Sequence, residues 1–160
     1  MIRPAAPADA DALMAVTAAT GLFRPEELED VRAVLDGHFA GQLGPDHVWL
    51  TDDDGPDAGG PAAVAYYAPE PFADRVWNLY MLMVHPERQG GGRGAALVRR
   101  VEEDARARGG RILLIETSGT ERFARTRAFY ARCGYAEEAR IRGYYGPGDD
   151  KVVFWKALAD

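Results

Sequence analysis

The stretch HPERQGGGRGAAL, residues 85–97, puts four glycines within five positions, Gly90 to Gly94, interrupted only by Arg93. Glycine is costly inside regular structure and belongs where backbone must approach something closely. An apolar run, VWNLYMLMV, precedes the loop and a helix-like pattern follows it. Successive N–H groups turned inward, with the positive end of a helix directly behind them, make a site for a pyrophosphate. Larger side chains would hold the phosphates away from those donors. Two other phosphate-binding patterns compete. Gly90, Gly92 and Ala95 satisfy the letters of the dinucleotide fingerprint, with Glu116 ending the next strand. That turn, however, starts its glycines directly after the strand. Here His85 to Gln89 intervene, and too few elements follow for a dinucleotide sheet. A P-loop needs lysine beside its last glycine, and none is near. A flexible surface turn is the plain alternative.

Three further residues could react. Glu116 closes the apolar stretch RILLIE, where a carboxylate is expensive unless it faces a cleft or is paired. A salt-bridged strand end, with an arginine of 121–127, is the competing reading. Tyr130 follows Phe129 in AFYARCGY; adjacent helix positions face differently, so one of the two leaves the core. Cys133 is the only cysteine and has no neighbouring histidine to activate it as an acyl relay, so it reads as a small buried hydrophobe. His85 reads as a loop residue, His38 and His47 fit no ligand spacing, and no metal site is expected.

Composition narrows the setting. The formal charge of −6 over 160 residues argues against a nucleic-acid partner, which wants a basic face. No apolar run is long enough to span a membrane, and MIRPAAPADADAL lacks the apolar centre of a secretory signal. A cytoplasmic protein is expected, monomeric or homodimeric, forming one domain over 1–160.

The elements that must position these residues follow from periodicity. MIRP reads as a short strand, Asp9 as the cap of a helix to about Ala19, and Pro25 as the start of a second helix to about Ala40. HVWLTDD and PAAVAYYAPE form a hairpin around DDGPDAGG. Residues 76–84 and 111–117 are apolar enough for strands covered on both faces. Helices are expected at 93–108 and 121–133, ended by Gly109–Gly110 and Gly134. Two strands, 135–142 and 151–157, close the chain around GYYGPGDD. The order β-α-α-β-β-β-α-β-α-β-β describes one α/β domain.

The segment VHPERQGGGRG carries V-x-P-x-x-Q-x-x-G-x-G through Val84, Pro86, Gln89, Gly92 and Gly94. This resembles the acyl-CoA signature of the GCN5-related N-acetyltransferase (GNAT) superfamily. IRPAAPADADAL resembles that family's first strand and helix, and AFYARCGY its late-helix motif, so the likeness covers nearly the whole chain. The resemblance implies an α/β (α+β) fold: a mixed sheet of about seven strands with one splayed pair, 76–84 and 111–117, flanked by about four helices. It implies acetyl-CoA as cofactor and an amine as acceptor. Leu82, Met83 and Val84 would offer backbone to the acetyl-pantetheine end, and Gly90, Gly91, Gly92, Arg93, Gly94 and Ala95 would cradle the diphosphate, with Gln89 or Arg93 adding a side chain. Tyr130 matches the tyrosine that protonates the departing thiolate. Glu116 matches the base of ribosomal-protein-type members, whereas the base position of histone-type members holds Asn78. The usual pantetheine-binding asparagine is replaced by Phe123, so that contact passes to Ser118, Thr120 or Thr126, or is absent.

In this fold, acceptor choice comes from the segment between the first two helices and from the last strand pair. Phe23, Tyr80, Tyr144 and Tyr145 are the candidate lining. Glu26, Glu27, Glu29 and Asp30 in the first segment, and Asp149 and Asp150 beside Tyr144 and Tyr145 in the second, suggest a cationic acceptor, with a plain solvated surface as the competing reading. A small-molecule amine is the acceptor expected. A protein N-terminus and a non-catalytic acyl-CoA-binding module are the alternatives.

Overall fold

A computed structural model of the chain describes residues 1–55 and 59–158; Pro56–Ala58, in the middle of the expected hairpin turn, lie outside the described residues. Seven strands and four α-helices follow one another as β1 (Ile2–Pro4), α1 (Ala10–Ala19), α2 (Pro25–Phe39), β2 (Val48–Asp53), β3 (Pro61–Pro69), β4 (Val76–Val84), α3 (Arg93–Ala107), β5 (Ile112–Ser118), α4 (Ala124–Arg132), β6 (Ala136–Gly146) and β7 (Asp149–Ala157). The strands form one mixed sheet in the order β1-β2-β3-β4-β5-β7-β6. The α/β architecture expected from the sequence is therefore the one observed. Two compact units divide the residues: Met1–Ala68 with Met81–Arg100, and Pro69–Tyr80 with Val101–Asp160.

In the first unit, Ala10, Leu13 and Val16 of α1 and Leu35 of α2 pack with Trp49, Val64 and Met81. Leu13 and Leu35 are almost wholly buried, each contributing about 2 kcal/mol by removal from water. Asp9 does not cap α1. It ends a short 3-10 turn, Pro7–Asp9, in helical backbone. Its carboxylate accepts the Ala6 N–H at 2.8 Å and pairs with Arg3 at 2.7 Å. The guanidinium, which also binds Asp53 at 2.9 Å, holds Asp9 below the usual carboxylate range. At α2, Pro25 stands at the first helical position, and Glu27 accepts the Arg24 N–H at 2.7 Å.

In the second unit, β4 and β5 pair in parallel over only four positions, Val76↔Ile112 to Leu79↔Ile115. Both strands continue past that point. β5 meanwhile pairs with β7 along its full length, Ile112↔Ala157 to Ser118↔Lys151. Directly paired residues share a face of the sheet and successive residues alternate. Leu113, Ile115, Lys156 and Phe154 therefore face one side. Asn78, Leu114, Glu116, Lys151 and Val153 face the other.

The last hairpin corrects the sequence reading. GYYGPGDD is not a long connection: β6 runs on to Gly146 and β7 starts at Asp149, with Gly146↔Asp149 closing the pair. A register shift between Ile141 and Gly146 carries Tyr144 and Tyr145 within the strand. The predicted helix over 121–133 divides into a 3-10 turn, Glu121–Phe123, and α4.

Candidate active site

The glycine loop joins β4 to α3 as the sequence pattern requires. His85 donates its N–H to the Ala62 carbonyl at 2.9 Å, a turn forms over Pro86–Arg88, and the Gln89 side chain donates back to the Val84 carbonyl at 3.1 Å. Gln89 thereby ties the loop to the strand it leaves. Gly90 and Gly92 have φ of 81° and 80°, backbone that L side chains adopt at a cost of about 1–2 kcal/mol. A Cβ added at Gly90, Gly91 or Gly92 would meet nothing within 4 Å. Glycine here is not filling a crowded place in the protein; it keeps the space outside the loop clear. The first helical bond of α3 runs from Ala96 N–H to Gly92 O at 2.9 Å, so the N–H groups of Arg93, Gly94 and Ala95 have no carbonyl one turn before them within the helix. Bare backbone, clear space and a helix start fit a diphosphate.

The side chain of Arg93 is directed elsewhere. It pairs with Asp52 at 2.8 Å and with Asp54, which also receives Arg88. Of the two side chains expected to supplement the loop, one is engaged by these aspartates and the other by the Val84 carbonyl. Leu82, Met83 and Val84 occupy the end of β4, beyond its last pair with β5, and Met83 packs against the core of the first unit. Phe23 is partly buried against that same core.

In the second unit, Tyr130 is the more buried of the adjacent aromatics, 5% exposed, while Phe129 is half-buried. Its ring meets Tyr135 and Phe154 at centroid separations of 6.4 and 5.7 Å. Burial raises its phenol well above the ordinary tyrosine range, with the nearby Cys133 adding to the effect. A buried network steadies this region. Glu102 accepts from the Tyr135 hydroxyl and from Lys156, each at 2.9 Å, and Lys156 also donates to the Cys133 carbonyl at 3.0 Å.

Glu116 projects from the opposite face of β5 and pairs with Lys151 at 2.9 Å. The arginine reading was wrong: Arg127 instead donates to the carbonyls of Ser118 and Thr120, at 2.8 and 2.7 Å, fastening the start of α4 to the end of β5. The Lys151 ammonium lies 4.0 Å from the Tyr144 ring centroid. Burial opposes its charge, but bonding to Glu116 and Tyr144 outweighs burial and raises its hold on the proton. Tyr145 packs edge-on against Tyr144 with centroids 5.0 Å apart. Its phenol is raised by burial first and by the Glu116 charge second. The structure thus gathers Glu116, Tyr144 and Tyr145 around Lys151, which the sequence reading had not singled out.

Ser118 and Thr120 share a hydroxyl contact of 2.8 Å, and Ser118 donates to Asp149 at 2.5 Å. Thr126 is half-buried on α4. Tyr80, 43% exposed, donates to Glu70 at 3.3 Å. Glu70 was also missed from sequence, because its partners lie on the next strand. Among the described residues no cluster of His, Cys, Asp or Glu could hold a metal ion, and no helix is long and apolar enough to cross a membrane.

The sequence matches the acetyltransferase (GNAT) domain over residues 44–137, more than half of the chain. A protein from Desulfovibrio desulfuricans assigned to the GNAT family matches the whole structure, with a TM-score of 0.91 and 34% identity over 99% of each chain. The chain belongs to the GNAT acetyltransferase family. Other acetyltransferase structures share its fold at lower identity. An aminoglycoside 6′-N-acetyltransferase complexed with coenzyme A gives a TM-score of 0.79 at 19% identity, covering 100% of this chain and 98% of that one. The ribosomal-protein-S18-alanine N-acetyltransferase of Escherichia coli gives 0.72 at 20%, covering 100% and 94%. No curated protein matches the sequence. As a GNAT acetyltransferase, the chain is an enzyme acting on amine acceptors.

Proposed function

We propose that the chain, acting as a single domain over 1–160, moves an acetyl group from acetyl-CoA to the primary amine of a small molecule, directly within a ternary complex. The observation that carries this reading is the clear space over Gly90–Gly92 beside the α3 N–H groups. Arg93, Gly94 and Ala95 would complete the diphosphate cradle with their backbone, and Leu82–Val84, past the end of the β4–β5 ladder, would offer backbone to the acetyl-bearing arm. Acetyl-CoA supplies an activated thioester there.

The chain's own residues then handle protons. Tyr130, held neutral by burial, donates toward the departing thiolate. An alkylamine, with an ordinary pKa near about 10.4, arrives charged and must lose a proton before it attacks. Glu116 is the proposed collector, directly or through a water chain, with Oε2 engaged by Lys151. Tyr130 packs on Phe154, which pairs with Ile115, so it serves the face of β5 opposite Glu116. Leaving group and acceptor are thereby handled from different sides. Direct transfer is favoured because the three histidines, at 38, 47 and 85, are all far from Cys133 in the sequence, so none adjoins the thiol to activate it as an acyl relay. Ser118, Thr120 or Thr126 would take the pantetheine contact left by Phe123. Tyr80, Tyr144 and Tyr145, all well exposed, line the acceptor side, with Phe23 contributing from the α1–α2 segment.

Thiol release from acetyl-CoA, followed over a panel of polyamines, amino acids and short peptides, tests the reading. Turnover with small alkylamines is expected. Turnover with peptides alone would replace the acceptor by a protein N-terminus. Binding of acetyl-CoA with no turnover on any amine would replace the enzyme by a non-catalytic acyl-CoA-binding module.

A further inference from the structure

Glu70 follows β3, in a segment where two prolines flank it, APEPF. Its backbone is fixed by donation of its N–H to the Val76 carbonyl at 2.8 Å. Two side chains of β4 fix its carboxylate. Asn78 donates at 2.6 Å and Tyr80 at 3.3 Å, both to Oε1. Residues 78 and 80 share a face of β4, and the register Asn78↔Leu114 puts that face level with Leu114 and Glu116 of β5. Glu70 is therefore held on the face that carries Glu116.

The two carboxylates differ in what balances them. Glu116 has the Lys151 ammonium. Among the described residues, Glu70 is in no ion pair; the donors that reach it, an amide and a phenol, are neutral. Asn78 supplies a second, independent sign. It is 1% exposed, and its Oδ1 is buried with no hydrogen-bond partner among the described residues. A buried acceptor without a donor opposes folding, and an apolar side chain in its place would avoid that cost. Reversing the amide would set Oδ1 against the carboxylate. Asn78 thus holds an unfavourable position from which its amide grips Glu70.

Resting on the proposed amine acetylation, we infer that Glu70 is a specificity-determining residue whose Oε2 binds the ammonium of the acceptor. The acceptor class is then a cationic alkylamine. Asn78 and Tyr80 are its positioning residues, and Glu116 remains the group that collects the proton.

The test compares wild type with Glu70→Gln, which removes the charge and keeps the shape. The expected result is an acceptor KM raised at least about tenfold, with kcat changed less than about threefold, because a lost ion pair weakens binding more than chemistry. Melting temperature and acetyl-CoA affinity stay at wild-type values, which a purely structural Glu70 would not allow. An acceptor KM within about twofold of wild type overturns the assignment while leaving the acetyltransferase reading standing. A wild-type enzyme that turns over no cationic amine overturns both. Should Glu70→Gln fail to fold, the Glu70 carboxyl-carbon resonance of the wild-type protein is followed during titration with the accepted amine. A shift at saturation supports the assignment, and an unmoved resonance overturns it.

Discussion

Tyr130 and Tyr135 sit in the same aromatic group, yet their hydroxyls have different duties. The Tyr135 hydroxyl is bonded to Glu102, whereas Tyr130 is the phenol assigned to the departing thiolate. Replacing Tyr130 with Phe preserves the ring that meets Phe154 and removes only the donor. Turnover should fall about a hundredfold, in the lower range for a general acid, with acetyl-CoA affinity nearly intact. Stopped-time thiol release and calorimetric titration measure the two quantities; equal turnover in the variant removes Tyr130 from the role. At this scale the sequence shows which residue types are present and not always what meets them. The cost of Glu116 on an apolar strand was readable, with an open cleft or a charged partner as the two ways to meet it. The partner, Lys151, is set by the β5–β7 register and lies far along the chain. The Glu70–Asn78–Tyr80 contact was hidden for a related reason, since it joins a connection to the strand after it.

The loop from β4 to α3 is the element on which the proposed acetyl-CoA binding rests. Valine at position 92 would be forced into φ of 80° and would push a branched side chain into the space that Gly92 leaves clear. The backbone cost of about 1–2 kcal/mol is well below the 5–15 kcal/mol of a typical domain. Gly92→Val should therefore fold, by circular dichroism, and show no acetyl-CoA binding at millimolar ligand; retained affinity would place the diphosphate elsewhere. This element was the most legible in sequence because two of its glycines, Gly90 and Gly92, are demanded by local backbone geometry. Asp9 was misread for the converse reason. An aspartate before a helix is a common cap, but Arg3 competes for it across the β1 segment. The tyrosine-rich hairpin was misread because Gly and Pro signal a turn; only pairing with β7 shows that β6 continues to Gly146.

For the molecule as a whole, alkaline pH is the revealing condition. Tyr130 and Tyr135 are both raised above the ordinary phenol range, each by burial first. Their folded values exceed the unfolded value of about 10. The stability they contribute is thus complete below about pH 10 and is lost as pH climbs toward the folded values. The urea midpoint should drop between about pH 9 and pH 11, and Tyr135→Phe should make that drop shallower. A midpoint constant over this interval would mean that both phenols ionise freely. The strand order adds a constraint on how the chain reaches this state. β7 follows β6 in sequence but is inserted between β5 and β6, so both neighbours leave the ribosome before the strand they share. Until β7 emerges, β5 has no partner on that edge and β6 has none at all, which makes this half of the sheet a late, all-together assembly and leaves the nascent chain dependent on whatever shields an open strand edge in the meantime.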